Sequence, residues 1–311
     1  MKIEIKENCS YKTVLDILKY EFKLPSSIIT FLKKKDRGIV LNGERVTVRK
    51  TVNVGDLLEL EYTDEKTAVE ESNILPVKLP LDIIYEDSEL IAVNKPPYMP
   101  THPSHNHYDD TLANALRYYF DSKDIPFIFR SVNRLDNLTS GIVLVAKNKL
   151  SAARLSENIA KGRVFKGYLA VLHGSPEVLE GEICAPIRRT EKSIITRSVC
   201  DDGAQAITRY KILYKNDMFS LVKAIPITGR THQLRVHFAH IGHPICGDTL
   251  YGYPSRFIAR QALHAYETTF THPTSEEVIR LTSFPPRDII SLCNEVFDPS
   301  EFNLERILNN D

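Results

Sequence analysis

Apolar residues recur at Val14, Leu15, Leu18 and Phe22, the three-to-four residue interval that lays one face of a helix against a core. A second such run, Ile28, Ile29 and Leu32, follows Ser26 and Ser27, either of which can cap a helix start. Beyond Gly38 the period shortens to that of strands. Gly38-Ile39-Val40-Leu41 leads into the tight turn Asn42-Gly43, Glu44-Arg45-Val46 returns, and Leu57 to Tyr62 forms a further strand. Thr63 to Pro80 carries charge and two prolines without an apolar period, which predicts a linker. The expected division is a small module over residues 1–62, a linker over 63–80 and a larger domain over 81–311.

In the larger domain, strand-like runs are expected at Leu90 to Asn94, Ile142 to Ala146, Val164 to Leu172, Ala206 to Tyr214, Ser220 to Ile227 and Leu263 to Phe270. Helical runs are expected near Thr111 to Phe120, Leu150 to Ala160 and Thr231 to His240. Neighbouring strands between sparse helices favour a mixed, largely antiparallel sheet, hence an α+β fold.

No apolar run approaches the roughly 18 residues of a membrane span, and Met1-Lys2-Ile3-Glu4-Ile5-Lys6 lacks the apolar core of a secretion signal. A cytoplasmic monomer with no membrane partner is the expectation. Cys9, Cys184, Cys200, Cys246 and Cys293 are scattered, without paired metal-type spacing, and read as reduced thiols. The formal net charge of +0 argues weakly against a nucleic-acid binder, but the charge is unevenly spread. Between Phe31 and Lys50, Lys33, Lys34, Lys35, Arg37, Arg45, Arg49 and Lys50 face only Asp36 and Glu44. Such a patch gains affinity for phosphate by counterion release, which makes Lys33, Lys34, Lys35, Arg37 and Arg45 candidate RNA contacts.

The candidate chemistry centres on Asp136. It lies in Ser131-Val132-Asn133-Arg134-Leu135-Asp136-Asn137-Leu138-Thr139-Ser140-Gly141, directly before the apolar Ile142 to Ala146, a turn opening into a buried strand. An isolated Asp in a turn is more often an ordinary surface residue. Two later stretches change that weighing: Lys166-Gly167-Tyr168-Leu169-Ala170-Val171 and Thr228-Gly229-Arg230-Thr231-His232-Gln233-Leu234-Arg235-Val236-His237. With Val93-Asn94-Lys95-Pro96-Pro97, Gly242-His243-Pro244-Ile245-Cys246-Gly247-Asp248 and Ala262-Leu263-His264-Ala265, in this order and spacing, the chain resembles the RluA family of RNA pseudouridine synthases over roughly residues 81 to 288. The family most often has His where this chain has Asn133, so altered local hydrogen bonding with retained activity is expected. The first segment, two short helices with a lysine-rich end and a hairpin through Val40-Leu41-Asn42-Gly43, resembles the alpha-L RNA-binding module of ribosomal proteins.

The resemblance implies a cleft across the sheet and conversion of uridine to pseudouridine. That reaction breaks the bond between base nitrogen and ribose, turns the uracil and rejoins it through carbon, with no redox change and no external group. No cofactor or metal is expected. The resemblance assigns the required ionised carboxylate to Asp136, which attacks the sugar, adds to the base or removes a sugar proton. A buried carboxylate tends to stay protonated unless a cation or donors lie nearby, and the resemblance makes Arg235 that cation. Tyr168 would stack the flipped uracil and could share in proton transfer. Arg134, two positions before Asp136 and on the same face if the backbone is extended, would fill the vacated stack. Lys166 and Arg230 either contact phosphate or brace the pocket, and Leu234 belongs with them on the substrate side. The expected partner is a structured RNA, ribosomal first and transfer RNA second.

Three rival readings carry less. His232, His237, His240 and His243 look like a metal box, yet no carboxylate lies within the series and His243 falls beside a glycine and a proline. A glycosidase would need a second positioned acid, and none announces itself beside the motif. An RNA-binding assembly factor with a silent pocket would have no use for Asp136, Tyr168 and Arg235 together.

Overall fold

The computed structural model describes residues 2–6, 11–61, 73–191 and 193–309. Its strands are β1 (Lys2–Glu4), β2 (Ile39–Leu41), β3 (Glu44–Arg45), β4 (Leu57–Leu60), β5 (Ile83–Glu86), β6 (Leu90–Lys95), β7 (Arg130–Ser131) and β8 (Ser140–Ala146). They continue with β9 (Phe165–His173), β10 (Glu180–Cys184), β11 (Ile187–Arg189), β12 (Arg197–Val199), β13 (Ile207–Lys215), β14 (Phe219–Pro226), β15 (Leu263–Thr271) and β16 (Val278–Thr282). The α-helices are α1 (Val14–Asp16), α2 (Ser26–Lys34), α3 (Leu112–Asp121), α4 (Lys149–Ala160), α5 (Gln233–His240), α6 (Arg287–Val296) and α7 (Leu304–Asn309).

The first segment is a four-stranded sheet, order β1-β4-β2-β3, with two helical pieces packed on it. Asn42 and Gly43 both take positive φ, 52° and 84°, the backbone a two-residue turn between β2 and β3 requires. The single helix expected through Phe22 is instead the short α1 running into one π-helical turn over Ile17–Glu21. The wide turn, closed by the Phe22 N–H on the Ile17 carbonyl, buries Ile17 and Leu18 together. This small core also takes in Leu150 of α4, so the segment is docked onto the rest of the chain. Arg154 of α4 fastens it by donating to the Phe22 carbonyl (2.8 Å) and to the Pro273 carbonyl (2.6 Å). Tyr62 and residues 63–72 of the expected linker lie outside the described residues. Residues 73–80 are irregular but fastened: the Val77 N–H donates to Asn114 O, Asn114 Nδ2 donates to Leu75 O, and Ile74 and Leu79 pack on the core.

The larger domain is α+β, built on a ten-stranded mixed sheet in the order β10-β13-β14-β9-β15-β8-β6-β5, with β16 on β15 and β7 on β8. Most pairs are antiparallel; β15 and β8 run parallel. β8 is buried along its whole length, as its unbroken apolar run predicts for a central strand. The strands not foreseen (β5, β7, β10, β11, β12, β16) are two to five residues long, too short for a period of two to stand out in the sequence.

His264, fully buried on β15, accepts at Nδ1 from Ser140 Oγ (3.0 Å) and donates from Nε2 to the Ser283 carbonyl (2.8 Å). Burial, reinforced by Arg260, pushes its pKa down from 6.5 to about 4. Its folded pKa lies below the unfolded one, so this contribution is complete above pH 6.5 and is lost as pH falls from 6.5 toward 4. The gap corresponds to roughly 3 kcal/mol. Urea titrations between pH 7 and pH 4.5 are expected to show this loss, and His264→Gln should flatten the slope in that window relative to wild type.

Candidate active site

Asp136 sits on the loop that delivers the chain into β8, and the sheet register fixes what faces it. Tyr168 pairs with Ala265, and Ala265 with Gly141, so the three lie in a row across β9, β15 and β8. With strands about 4.8 Å apart, the row puts Tyr168 roughly 10 Å from Gly141, beneath the arch of the loop. Gly141 has φ +113°, and a Cβ there would meet the Ala265 carbonyl oxygen at 2.2 Å, so only glycine fits at this start of β8.

The loop is held by its main-chain carbonyls and by the side chain of Asn133. Asn133 bonds to the flank of β8, donating to the Ile142 carbonyl (3.1 Å) and accepting the Leu144 N–H (2.8 Å). Thus the residue that departs from the family's histidine braces the loop rather than touching Asp136. Lys95, completely buried, donates to the carbonyls of Pro96, Met99 and Asn137. Burial first, then Arg260, lower its pKa to about 7, against the pull of Asp136. Arg260, also buried, grips Asp288 with Nε and Nη2 and donates from Nη1 to Leu138 O at 2.9 Å. Two buried basic side chains therefore pin the carbonyls of the two residues that follow Asp136.

The opposite wall comes from the turn after β14 and from α5. Gln233 ties the turn together, accepting from the Arg230 N–H and Thr228 Oγ1 and donating to Ile207 O. The helix begins two residues later than expected, because His232 takes a left-handed conformation (φ 58°, ψ 17°). The result is a cavity of about 280 Å³ whose walls include Arg134, Asp136, Lys166, Tyr168, Arg230, His232, Leu234 and Arg235.

Charge in the cavity is arranged differently from expectation. Arg235 does face Asp136, Nη1 to Oδ2 at 3.4 Å, but its two-pronged bond goes to Asp248, Nε to Oδ2 at 2.6 Å and Nη2 to Oδ1 at 2.8 Å. A planar fork satisfies only one carboxylate bidentately, and the fully buried Asp248 takes it. Burial would push the Arg235 guanidinium down; Asp248, and then Asp136, more than offset that and raise it. Burial first and Asp136 second push the Tyr168 hydroxyl upward, so it stays a neutral phenol. Lys166 is pulled below its ordinary range by burial. Arg134 is exposed at the mouth, and Arg230 donates from Nε to Gln205 O.

The histidines of α5 do not converge. His237 is bonded to Thr208 Oγ1 and Ala185 O, and His243 to the His173 carbonyl. Among the described residues no cluster of three metal-ligating side chains occurs. In the N-terminal basic patch, Lys33, Lys34 and Arg37 are exposed, whereas Lys35 is paired with Glu61 and Arg45 with Asp36, both at 3.3 Å.

A family model described as RNA pseudouridylate synthase matches residues 89–240. A protein of Bacillus subtilis (strain 168) named as an uncharacterized RNA pseudouridine synthase is 38% identical over 272 residues, 88% of this chain and 95% of that relative. The chain belongs to the RluA family of RNA pseudouridine synthases. The ribosomal large subunit pseudouridine synthase D of Xanthomonas campestris pv. campestris is 33% identical, covering 86% of this synthase and 83% of its own length. Human RNA pseudouridylate synthase domain containing 1 superposes with a TM-score of 0.56 at 32% identity, over 67% of this chain and 84% of that one. The synthase is accordingly an isomerase that acts on RNA.

Proposed function

We propose that this synthase isomerises uridines of large-subunit ribosomal RNA, with Asp136 as the reacting carboxylate, Tyr168 as the ring beneath the flipped uracil and Arg235 as the cation facing Asp136. The observation that carries the chemistry is the meeting, in one cavity, of a carboxylate, a guanidinium 3.4 Å away and a half-buried neutral phenol. A carboxylate facing the cavity can serve as nucleophile or base toward the flipped nucleotide. A phenol ring offers a face to a base that has left its stack. Arg134, exposed at the mouth, reaches the gap the base leaves behind, and Lys166 and Arg230 contact the backbone there.

Support for the ribosomal address comes from relatives named for the large subunit and from the exposed Lys33, Lys34 and Arg37. The alpha-L-like segment gives these cations to structured RNA. Mapping pseudouridine across all RNA of cells lacking the protein tests the address. Loss confined to large-subunit sites supports it; loss confined to transfer RNA overturns it.

The contribution of the segment is better probed by charge than by deletion, because removing residues 1–62 would also uncover Leu150 on α4. Replacing Lys33, Lys34 and Arg37 with Ala should weaken RNA binding and flatten its salt dependence. For every phosphate no longer neutralised, the log–log slope falls by about 0.7 to 0.9. Equal slopes for variant and wild type in titrations across salt concentration would remove the segment from the interface.

A further inference from the structure

Arg235 Nη1, at 3.4 Å, and His232 Nε2, at 3.8 Å, approach the same carboxylate oxygen of Asp136, Oδ2. Among the described residues, no protein group bonds to Oδ1. His232 is no incidental neighbour. Its imidazole is largely enclosed, and a non-glycine residue held in the left-handed region aims it there one position before α5 begins.

Its tautomer follows from Tyr251. The Tyr251 hydroxyl accepts the Arg197 backbone N–H at 2.9 Å, and among the described residues its own hydrogen has one acceptor in reach, His232 Nδ1 at 2.8 Å. Satisfying both groups leaves Nδ1 bare and puts the imidazole hydrogen on Nε2, the nitrogen that faces Asp136. Tyr251 is itself fixed by the turn that fixes Arg235. The Leu250 and Tyr251 N–H groups both donate to Asp248 Oδ1, and the Arg235 guanidinium lies over the Tyr251 ring, 5.1 Å from its centre. One turn thus places both groups that address Oδ2.

We infer that His232 is a positioning residue for the isomerisation: its Nε2–H, set by Tyr251, closes on Asp136 Oδ2 when RNA fills the cavity, so that Oδ1 is the oxygen that reacts. The inference rests on Asp136 being the reacting carboxylate. At 3.8 Å the contact is longer than a hydrogen bond, and catalytic hydrogen bonds of this kind tighten when substrate is bound. Burial, helped by Arg235 and Arg197 and opposed by Asp136 and Asp248, lowers the affinity of the imidazole for a second proton, which suits a neutral N–H donor.

The test uses the full chain, total RNA from cells lacking the protein, and single-turnover rates at saturating RNA. H232L, which keeps bulk but has no donor, should slow the step by on the order of 10-fold or more with RNA affinity unchanged, as loss of an aimed donor does. H232Q, whose amide N–H extends toward the Nε2 position, should recover most of the rate. Y251F should slow wild type yet add no loss in the H232Q background, since the glutamine has no tautomer to set. H232L at the wild-type rate, H232Q as slow as H232L while equally folded by melting temperature, or additive losses from Y251F would each overturn the inference. Should H232L fail to fold, the Y251F pair decides alone. D136N is run alongside: an active D136N breaks the assignment of Asp136, whereas an inactive D136N with an unaffected H232L sinks only the role of His232.

Discussion

Asp136→Asn is expected to fold and bind RNA as the parent does, and to lose turnover by on the order of 10⁴-fold or more. The side chains are nearly isosteric, and the loop is held through carbonyls and Asn133 rather than through the carboxylate, so nothing in the scaffold needs the charge. What disappears is the carboxylate oxygen facing the cavity. Pseudouridine has the mass of uridine, so the readout is chemical labelling of RNA after incubation. Substantial labelling by a folded variant free of contaminating enzyme would disprove the assignment.

Arg235→Ala should fail in two ways at once, and the second is the larger surprise. Removing the guanidinium takes away the cation facing Asp136, and it strands Asp248, whose side chain is wholly buried. An unpaired buried carboxylate costs about 3 to 5 kcal/mol, so a marked fall in melting temperature should accompany the loss of rate. Arg235→Lys separates the two effects. A lysine supplies charge but cannot bond both oxygens of Asp248 while facing Asp136, so stability should return further than activity does. Equal recovery of both, measured by thermal melting and single-turnover rate, would mean that the fork geometry is irrelevant. An Ala variant with unchanged melting would contradict the Asp248 pairing.

The reach of the sequence had a physical limit. Strand β8, helix α4 and the turn at Asn42-Gly43 were legible because their signals are local: an unbroken apolar run, a helical period, a dipeptide that tolerates positive φ. Asp136, Tyr168 and Arg235 each lie in a distinctive string, but strand register sets Tyr168 near the loop of Asp136 and α5 brings in Arg235, neither of which a string encodes. Asp248 stood in a motif already noted, yet its partnership with Arg235 depends on the turn it closes. The anchoring of the loop by Lys95 and Arg260 joins residues 42 and 122 positions apart, and no local pattern encodes it. The left-handed His232 and the π-helical turn before Phe22 were equally hidden, since both are backbone answers to tertiary packing.

The docking of the first segment on α4 turns that helix into a ruler. Its Leu150 is sunk in the core of the segment, while Ile159, nine residues on, borders the cavity that holds Asp136. At 1.5 Å per residue the two points are about 14 Å apart along a rigid rod. If the first segment grips RNA as proposed, the gripped feature is offered to the carboxylate only at a set offset. A choice among otherwise identical uridines can then be made by distance, with no base read at all.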